Sequence, residues 1–378
     1  MKTHQLSFQG RSSSGLIRLV DALPLLLNIG FLVTSSCLAD SVASPSSGWT
    51  PTGSLNVTRA GHAATLLSDG RVLVAGGYTI GGMNAGAEIY DPATESWTPT
   101  SSMAVSRIGH KAVLLDNGKV MVVGGGYERS PEFYDPATGI WTLGPGISPP
   151  RLEFTLTLLA DGRVLLAGGE NFKGTVHDCQ IYDPVTNRWT RTGRMIFSHT
   201  NSTATLLSDG RVLAAGGGSY PMDERAAEIY DPITGMWTAT GNMSKGRASH
   251  AAVLLESGEV LVAGTDTPPN RTADVYDPTI GTWMLTGNLP IAVQQTTLTL
   301  LSDGRAIVAG GLNLDGVNHD STIYDPLTGT WAAAEHVNGD HGFQTTATRL
   351  FDGRVLLVGG FDDSFMPTAN VDIYQPAD

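Results

Sequence analysis

Gly61-His-Ala-Ala-Thr-Leu-Leu-Ser-Asp-Gly-Arg-Val-Leu-Val-Ala-Gly-Gly77, followed after a loop by Ala87-Glu-Ile-Tyr-Asp-Pro-Ala-Thr-Glu-Ser-Trp97, is the stretch that decides the fold. Its first two apolar runs meet at Asp69-Gly70, a tight hairpin turn in which glycine takes a left-handed backbone. Runs this short, bounded by turn residues, predict strands, here called a and b. Ala87–Tyr90 predicts strand c, Asp91-Pro92 turns the chain, and Trp97-Thr98 opens strand d. No segment shows a 3.6-residue period, so helices are not expected.

The unit recurs along the chain. Tyr-Asp-Pro begins at Tyr90, Tyr134, Tyr182, Tyr230, Tyr276 and Tyr324, and Tyr-Gln-Pro begins at Tyr374. The seven tryptophans, Trp49, Trp97, Trp141, Trp189, Trp237, Trp283 and Trp331, stand 48, 44, 48, 48, 46 and 48 residues apart, and none falls outside the period. A glycine pair closing strand b is read at Gly76, Gly125, Gly168, Gly216, Gly310 and Gly359, with Gly264-Thr265 in the fifth unit. One four-stranded sheet of this size cannot bury both faces, but seven stacked radially can. Trp49 is a strand d residue without a, b or c before it, and Tyr374 a strand c residue without d after it. The expected fold is therefore all-β: a seven-bladed β-propeller over residues 49–378, closed by the N-terminal strand completing the last blade.

The glycine pairs, the Tyr-Asp-Pro turns and the spaced tryptophans resemble the kelch repeat over residues 49–378. The resemblance implies a propeller like the central domain of galactose oxidase. It implies little about activity, because kelch propellers serve as adaptors, carbohydrate-active proteins and oxidases.

Composition narrows the function. The formal net charge is −13, which repels nucleic acid, and no Lys/Arg run offsets it. Two cysteines, Cys37 and Cys179, cannot supply a disulfide framework. Lys2, Arg11 and Arg18 precede the apolar run Ala22–Val33, too short to span a bilayer but suited to an export signal. Residues 1–39 are thus read as a signal peptide and 40–48 as a linker, giving a secreted or periplasmic monomer without a transmembrane span. Cys37 suggests a lipid anchor, but Thr34 stands where an aliphatic residue is usual.

Topology sorts the loops into two faces. The a–b turns are uniform (Asp69-Gly70, Asn117-Gly118, Asp161-Gly162, Asp209-Gly210, Ser257-Gly258, Asp303-Gly304, Asp352-Gly353) and read as scaffold. The b–c loops differ from one another, and varied loops on a uniform scaffold are where specificity resides. Loop-face candidates are Tyr127, Glu128, Arg129, Glu170, Phe172, Tyr220, Arg225 and Arg271. The d–a loops open on the same face and align Arg59, Arg107, Arg151, His199, Arg247, Val293 and Gly342 at one position, with His62, His110 and His250 three residues on in the first, second and fifth units. Such a ring of cations at a pocket mouth suits carboxylates, phosphates and sugar acids. The kelch resemblance implies the same, since an adaptor of that family grips acidic peptides with arginines at this repeat position. The expected function is a binding module for a carbohydrate, an acidic peptide or a protein partner. The alternative is a carbohydrate-active enzyme, an epimerase, lyase or oxidase, using the central pocket.

No phosphate loop, nucleophile elbow or zinc-protease motif is present. The copper site of the galactose oxidase group does not carry over, because its Tyr-His dipeptide is absent; no cofactor and no metal are expected. His319, His336, Asp340 and His341 form a loose group without metal-ligand spacing.

Overall fold

Four consecutive buried residues make strand b of each unit, as in Val72–Ala75 and Val120–Val123, because both faces of this strand are covered by neighbouring blades. Strand d, at the rim, instead buries its tryptophan and exposes the residues beside it, as in Met236–Ala239. The computed structural model describes residues 47–126, 129–218, 224–265 and 270–377. They form seven four-stranded antiparallel sheets, each ordered a-b-c-d. The first comprises Ala63–Leu66, Val72–Ala75, Ala87–Asp91 and Ser96–Thr100. Strands a of successive blades neighbour one another around the whole ring, Ala63–Leu66 meeting Thr346–Arg349, so they surround the axis. Gly48–Pro51 pairs with Val371–Gln375 in the register Trp49↔Tyr374 and completes the seventh blade. Three b–c loops fold back as two-stranded ribbons, Tyr78–Thr79 with Gly82–Met83, Glu170–Asn171 with Gly174–Thr175, and Leu312–Asn313 with Gly316–Val317. These loops are more regular than expected because each has a glycine at its tip with positive φ.

The recurring tyrosine and tryptophan are cross-strand partners on strands c and d. Their ring centroids lie 5.0 to 5.3 Å apart in every blade. Several also tie neighbouring blades: the Trp97 indole donates to Gly53 O at 2.7 Å, and the Tyr90 hydroxyl meets Thr52 Oγ1 at 2.8 Å. The glycine pair lies where one blade touches the next. A Cβ on Gly76, at φ 68°, would stand 2.6 Å from His110 Cε1, and Gly77 N donates to Arg107 O at 2.7 Å. In the second blade the pair is Gly124-Gly125, one residue earlier than the sequence alignment placed it, because strand b ends at Val123.

Trp49 is 5% exposed, donates its indole N–H to Ser321 Oγ and packs on Tyr374. Trp49→Ala removes a buried aromatic and the closure contact together, so it is expected to destabilise by about 3–5 kcal/mol. Thermal unfolding followed by circular dichroism measures this, and a change within error would remove the closure role.

Candidate functional site

Two residues before each repeat tyrosine, strand c buries a polar side chain: Glu88, Glu132, Gln180, Glu228, Asp274, Thr322 or Asp372. The carboxylates receive backbone N–H groups of the incoming d–a loop. Glu88 accepts from Asn56 N at 2.8 Å and Val57 N at 3.2 Å, and Glu228 from Ile196 N at 2.9 Å and Phe197 N at 3.1 Å. The arginine of the same loop closes the arrangement. Arg59 pairs with Glu88 at 2.9 Å and donates to Gly76 O and Gly86 O. Arg107 pairs with Glu132 at 3.1 Å and donates to Gly124 O and Ser130 O. Arg247 pairs with Asp274 at 2.7 Å and donates to Gly264 O and Thr272 Oγ1. In the fourth blade His199 stands between Gly216 O and Glu228.

The arginines therefore do not line the pocket mouth. Arg59, Arg107, Arg151 and Arg247 are at most 1% exposed, and every nitrogen of Arg59, Arg107 and Arg247 has an acceptor within the protein. The expected ring of free cations is corrected: all four are buried, and the fold itself consumes every donor nitrogen of Arg59, Arg107 and Arg247. Burial lowers the Arg59 and Arg247 pKa values, opposed by Glu88 and Asp274. The seventh blade also differs from the alignment. Its d–a loop holds one extra residue, so His341 rather than Gly342 takes the place, between Gly359 O at 2.9 Å and Asp372 Oδ2 at 2.9 Å. In the sixth blade Val293 and Thr322 dispense with both charges at once. The third blade loses one partner alone. At the carboxylate's position stands Gln180, which bonds Ser148 instead; Arg151 Nη2 is buried without an acceptor, and desolvation brings its pKa down to about 10.

What opens at the axis on this face is a cavity of about 610 Å³. His62, His110 and His250 do line it, together with Phe154, Ser202 and Thr296. Burial, reinforced by the nearby arginines, lowers the pKa of each of the three histidines to about 3. They are neutral at physiological pH; His62 Nε2 lies 2.8 Å from Thr346 Oγ1 and His250 Nε2 3.0 Å from Thr203 Oγ1. One residue nearer the mouth stand Gly61, Gly109 and five polar side chains, Glu153, Asn201, Ser249, Gln295 and Gln344. Sequence reasoning passed over this position, although it lies between two that it singled out.

The loop candidates are dispersed. Arg129, Phe172, Arg225 and Arg271 are exposed, Phe172 by 76%, and Glu170 is half-buried in its ribbon. Arg271 Nε donates to Leu289 O at 2.6 Å. Tyr127, Glu128 and Tyr220 lie outside the described residues. An aromatic cluster was missed because, of the positions directly after the glycine pair, only those of the first and last blades carry an aromatic residue, Tyr78 and Phe361, among the described residues. Phe343 stacks on Phe361 at 4.6 Å and meets Phe365 edge-on at 5.8 Å, and Tyr78 of the first blade lies 6.2 Å from Phe361. Phe365 is 68% exposed, and Ile80, Met83 and Met366 nearby in sequence are exposed as well.

The histidine-aspartate group separates. His341 is buried at Asp372, while His319 lies 3.5 Å from Asp340 and His336 2.9 Å from Asp320, both in exposed pairs. Among the described residues no three His, Cys, Asp or Glu side chains are placed to hold a metal ion. Cys179 packs in the core against Ile181, Met195 and Trp237, and burial raises its thiol pKa to about 11, so a copper centre with a thioether-linked cysteine does not fit these residues. No helix among the described residues is long and apolar enough to cross a membrane.

Residues 61–265 match the model of the KLHDC2/KLHL20/DRC7 Kelch-repeats domain, more than half of the chain. The protein belongs to this kelch-repeat family. Among solved structures it is similar to a novel fungal alcohol oxidase with catalytic diversity among the AA5 family, in complex with copper. That match has a TM-score of 0.73 and 17% identity, covering 87% of this chain and 76% of the oxidase, and it shows a shared propeller fold. No curated protein sequence matches the chain.

Three outcomes follow from this geometry. Arg107→Ala or Arg247→Ala leaves a buried carboxylate without its cation and is expected to cost about 3–5 kcal/mol in denaturant unfolding. Gln180→Glu restores the missing partner of Arg151 and is expected to stabilise by about 1.5–3 kcal/mol. Below pH 6.5 the unfolded chain takes up protons at His62, His110 and His250 that the folded chain refuses until about pH 3. Stability is thus expected to fall as pH drops through that window and to be level with respect to these groups above pH 7. Urea unfolding between pH 7 and about pH 4 measures the slope, which His62→Gln, His110→Gln and His250→Gln together should flatten.

Proposed function

We propose that this protein is an exported binding module, secreted or periplasmic, that engages an uncharged ligand or the apolar patch of a protein partner through its b–c and d–a loop face. The observation that carries this reading is the cluster of Tyr78, Phe343, Phe361 and Phe365. It leaves Phe365 and Tyr78 in solvent on the face that also opens the axial cavity. Aromatic side chains left exposed on a rigid scaffold supply binding energy at low entropic cost. The basic residues and apolar run read at residues 1–39 support export, and kelch membership supports a recognition role. Anionic ligands lose their basis at the axis, because Arg59, Arg107 and Arg247 are saturated within the blades and Arg151 is buried. The same saturation weakens the carbohydrate-active enzyme reading, which needed those arginines beside a base in the pocket.

The test compares the two faces. Tyr78→Ser with Phe365→Ser is expected to weaken retention on glycan and protein arrays by at least about tenfold. Ile233→Ser, at an exposed c–d turn of the opposite face, is expected to leave retention unchanged. Raised ionic strength should change affinity little, since no exposed charge pair carries it. Equal loss from both variants, or loss from Ile233→Ser alone, would move the site away from the loop face.

A further inference from the structure

We propose that the ring of side chains at the mouth of the axial cavity, Glu153, Asn201, Ser249, Gln295 and Gln344, is a binding site for a neutral saccharide. This rests on the loop-face reading above and names the ligand class of its central cavity.

The seven residues that precede strand a's histidine-level position all share one backbone conformation. Gly61 and Gly109 have φ of 63° and 64°, and Glu153, Asn201, Ser249, Gln295 and Gln344 have φ between 50° and 60°. The conformation belongs to the scaffold. It lets backbones of adjacent blades join around the axis, with Gly61 N donating to Gln344 O at 2.9 Å, Gly109 N to Gly61 O at 2.8 Å, Asn201 N to Glu153 O at 3.2 Å and Ser249 N to Asn201 O at 2.9 Å. Glycine meets this requirement without strain, as two blades demonstrate, whereas a residue with a Cβ is strained there. Five blades nevertheless carry a side chain, and all five are polar. Among the described residues, five of the eight non-glycine residues with positive φ occupy this single position. Strain concentrated at one site of a repeat, where an unstrained residue is available and used, marks a function for the side chains.

The side chains serve no evident purpose within the fold. Their backbones make the inter-blade hydrogen bonds, and among the described residues their side chains take no protein hydrogen-bond partner. Instead they border the cavity. A water-filled channel would need none of them, since Gly61 and Gly109 close the ring without side chains.

Their chemistry identifies the ligand class. Three carboxamides and a hydroxyl each donate and accept hydrogen bonds, which matches sugar hydroxyls that also do both. The ring carries one carboxylate, Glu153, and the cavity one lysine, Lys111, so their formal charges cancel and neither sign of ligand is favoured. The histidines deeper in the cavity are neutral and add ring nitrogens rather than charge. The ring contains no apolar side chain, so it offers no counterpart to a purely apolar ligand. A volume of about 610 Å³ lies in the range of small-molecule sites.

The experiment uses the full chain and the substitutions Gln295→Gly and Gln344→Gly, alone and together. Asn201 is left in place because asparagine tolerates the left-handed region. Isothermal titration is run with glucose, galactose, mannose and cellobiose, with glucuronate as the charged comparison, and thermal unfolding is recorded in parallel. Expected are binding of at least one neutral sugar, a tenfold or greater weakening in the double variant, and a melting temperature that rises by a few degrees as strain is relieved. A fall in melting temperature would make the side chains scaffold, and no binding of any neutral sugar by the parent protein, or preference for glucuronate, would equally overturn the proposal. If array retention is lost with Tyr78→Ser and Phe365→Ser but survives both glycine substitutions, the ring is not the site and the loop-face reading stands without it.

Discussion

A carboxylate buried on strand c grips two backbone N–H groups of the arriving loop, and a guanidinium from that loop folds back onto the carboxylate and onto the carbonyls that end strand b. Neither charge could be buried alone without a cost of several kcal/mol, so the two must be placed together. Once placed, they fix the path of the d–a loop as it enters strand a. The next residues then have no freedom: the backbone must turn left-handed to enter strand a, and its side chains are delivered to the cavity. The clamp also reaches the neighbouring blade, because the carbonyl of Arg107, Arg247 or Arg59 accepts from Gly77, Gly217 or Gly360 of the blade before it. The exceptions obey the same physics. Val293 and Thr322 drop both charges, His341 and Asp372 rebuild the pair across an added residue, and Arg151 with Gln180 is left half-made.

The outer half of each blade is held by other means. Tyrosine and tryptophan pair across strands c and d, and their polar atoms reach the preceding blade, so each aromatic pair serves its own sheet and the seam beside it. The last seam is closed by a strand from the far end of the described chain. Trp49 and Tyr374 there repeat the geometry that a continuous segment supplies elsewhere. Ring closure thus uses the interaction already present in every blade and leaves no unpaired sheet edge at the join.

These two sets of contacts divide the molecule by what they leave free. The a–b turns carry local pairs such as Asp69 with Arg71 and Asp209 with Arg211, which are exposed and contribute little stability. On the opposite face the charges of Arg59, Arg107 and Arg247 are spent inside, and the groups ringing the cavity mouth are mostly amide and hydroxyl. A protein with a formal net charge of −13 thereby has one face whose central cavity carries no net formal charge.

The repeat, its seven-fold closure and the pairing of Trp49 with the last blade were legible in the sequence, because each depends on residues whose spacing along the chain equals their spacing in the ring. The histidines at the cavity were found for the same reason. The role of the arginines was not legible: Arg59 and Glu88 are 29 residues apart, and a repeat position shows that a residue recurs without showing what it faces. A conserved-looking cation reads as a ligand site until its partner strand is folded beside it. The cluster of Tyr78 with Phe343 and Phe361 joins the first and last blades: Tyr78 and Phe361 follow the glycine pair in each, but only ring closure brings them together. The left-handed ring was hidden because backbone dihedrals leave no mark on a glutamine or a glutamate in sequence. What the sequence determined was periodicity, and hence the ring; which donors the ring consumes and which it leaves for a ligand was decided by tertiary packing, where desolvation forces every buried charge to find a partner.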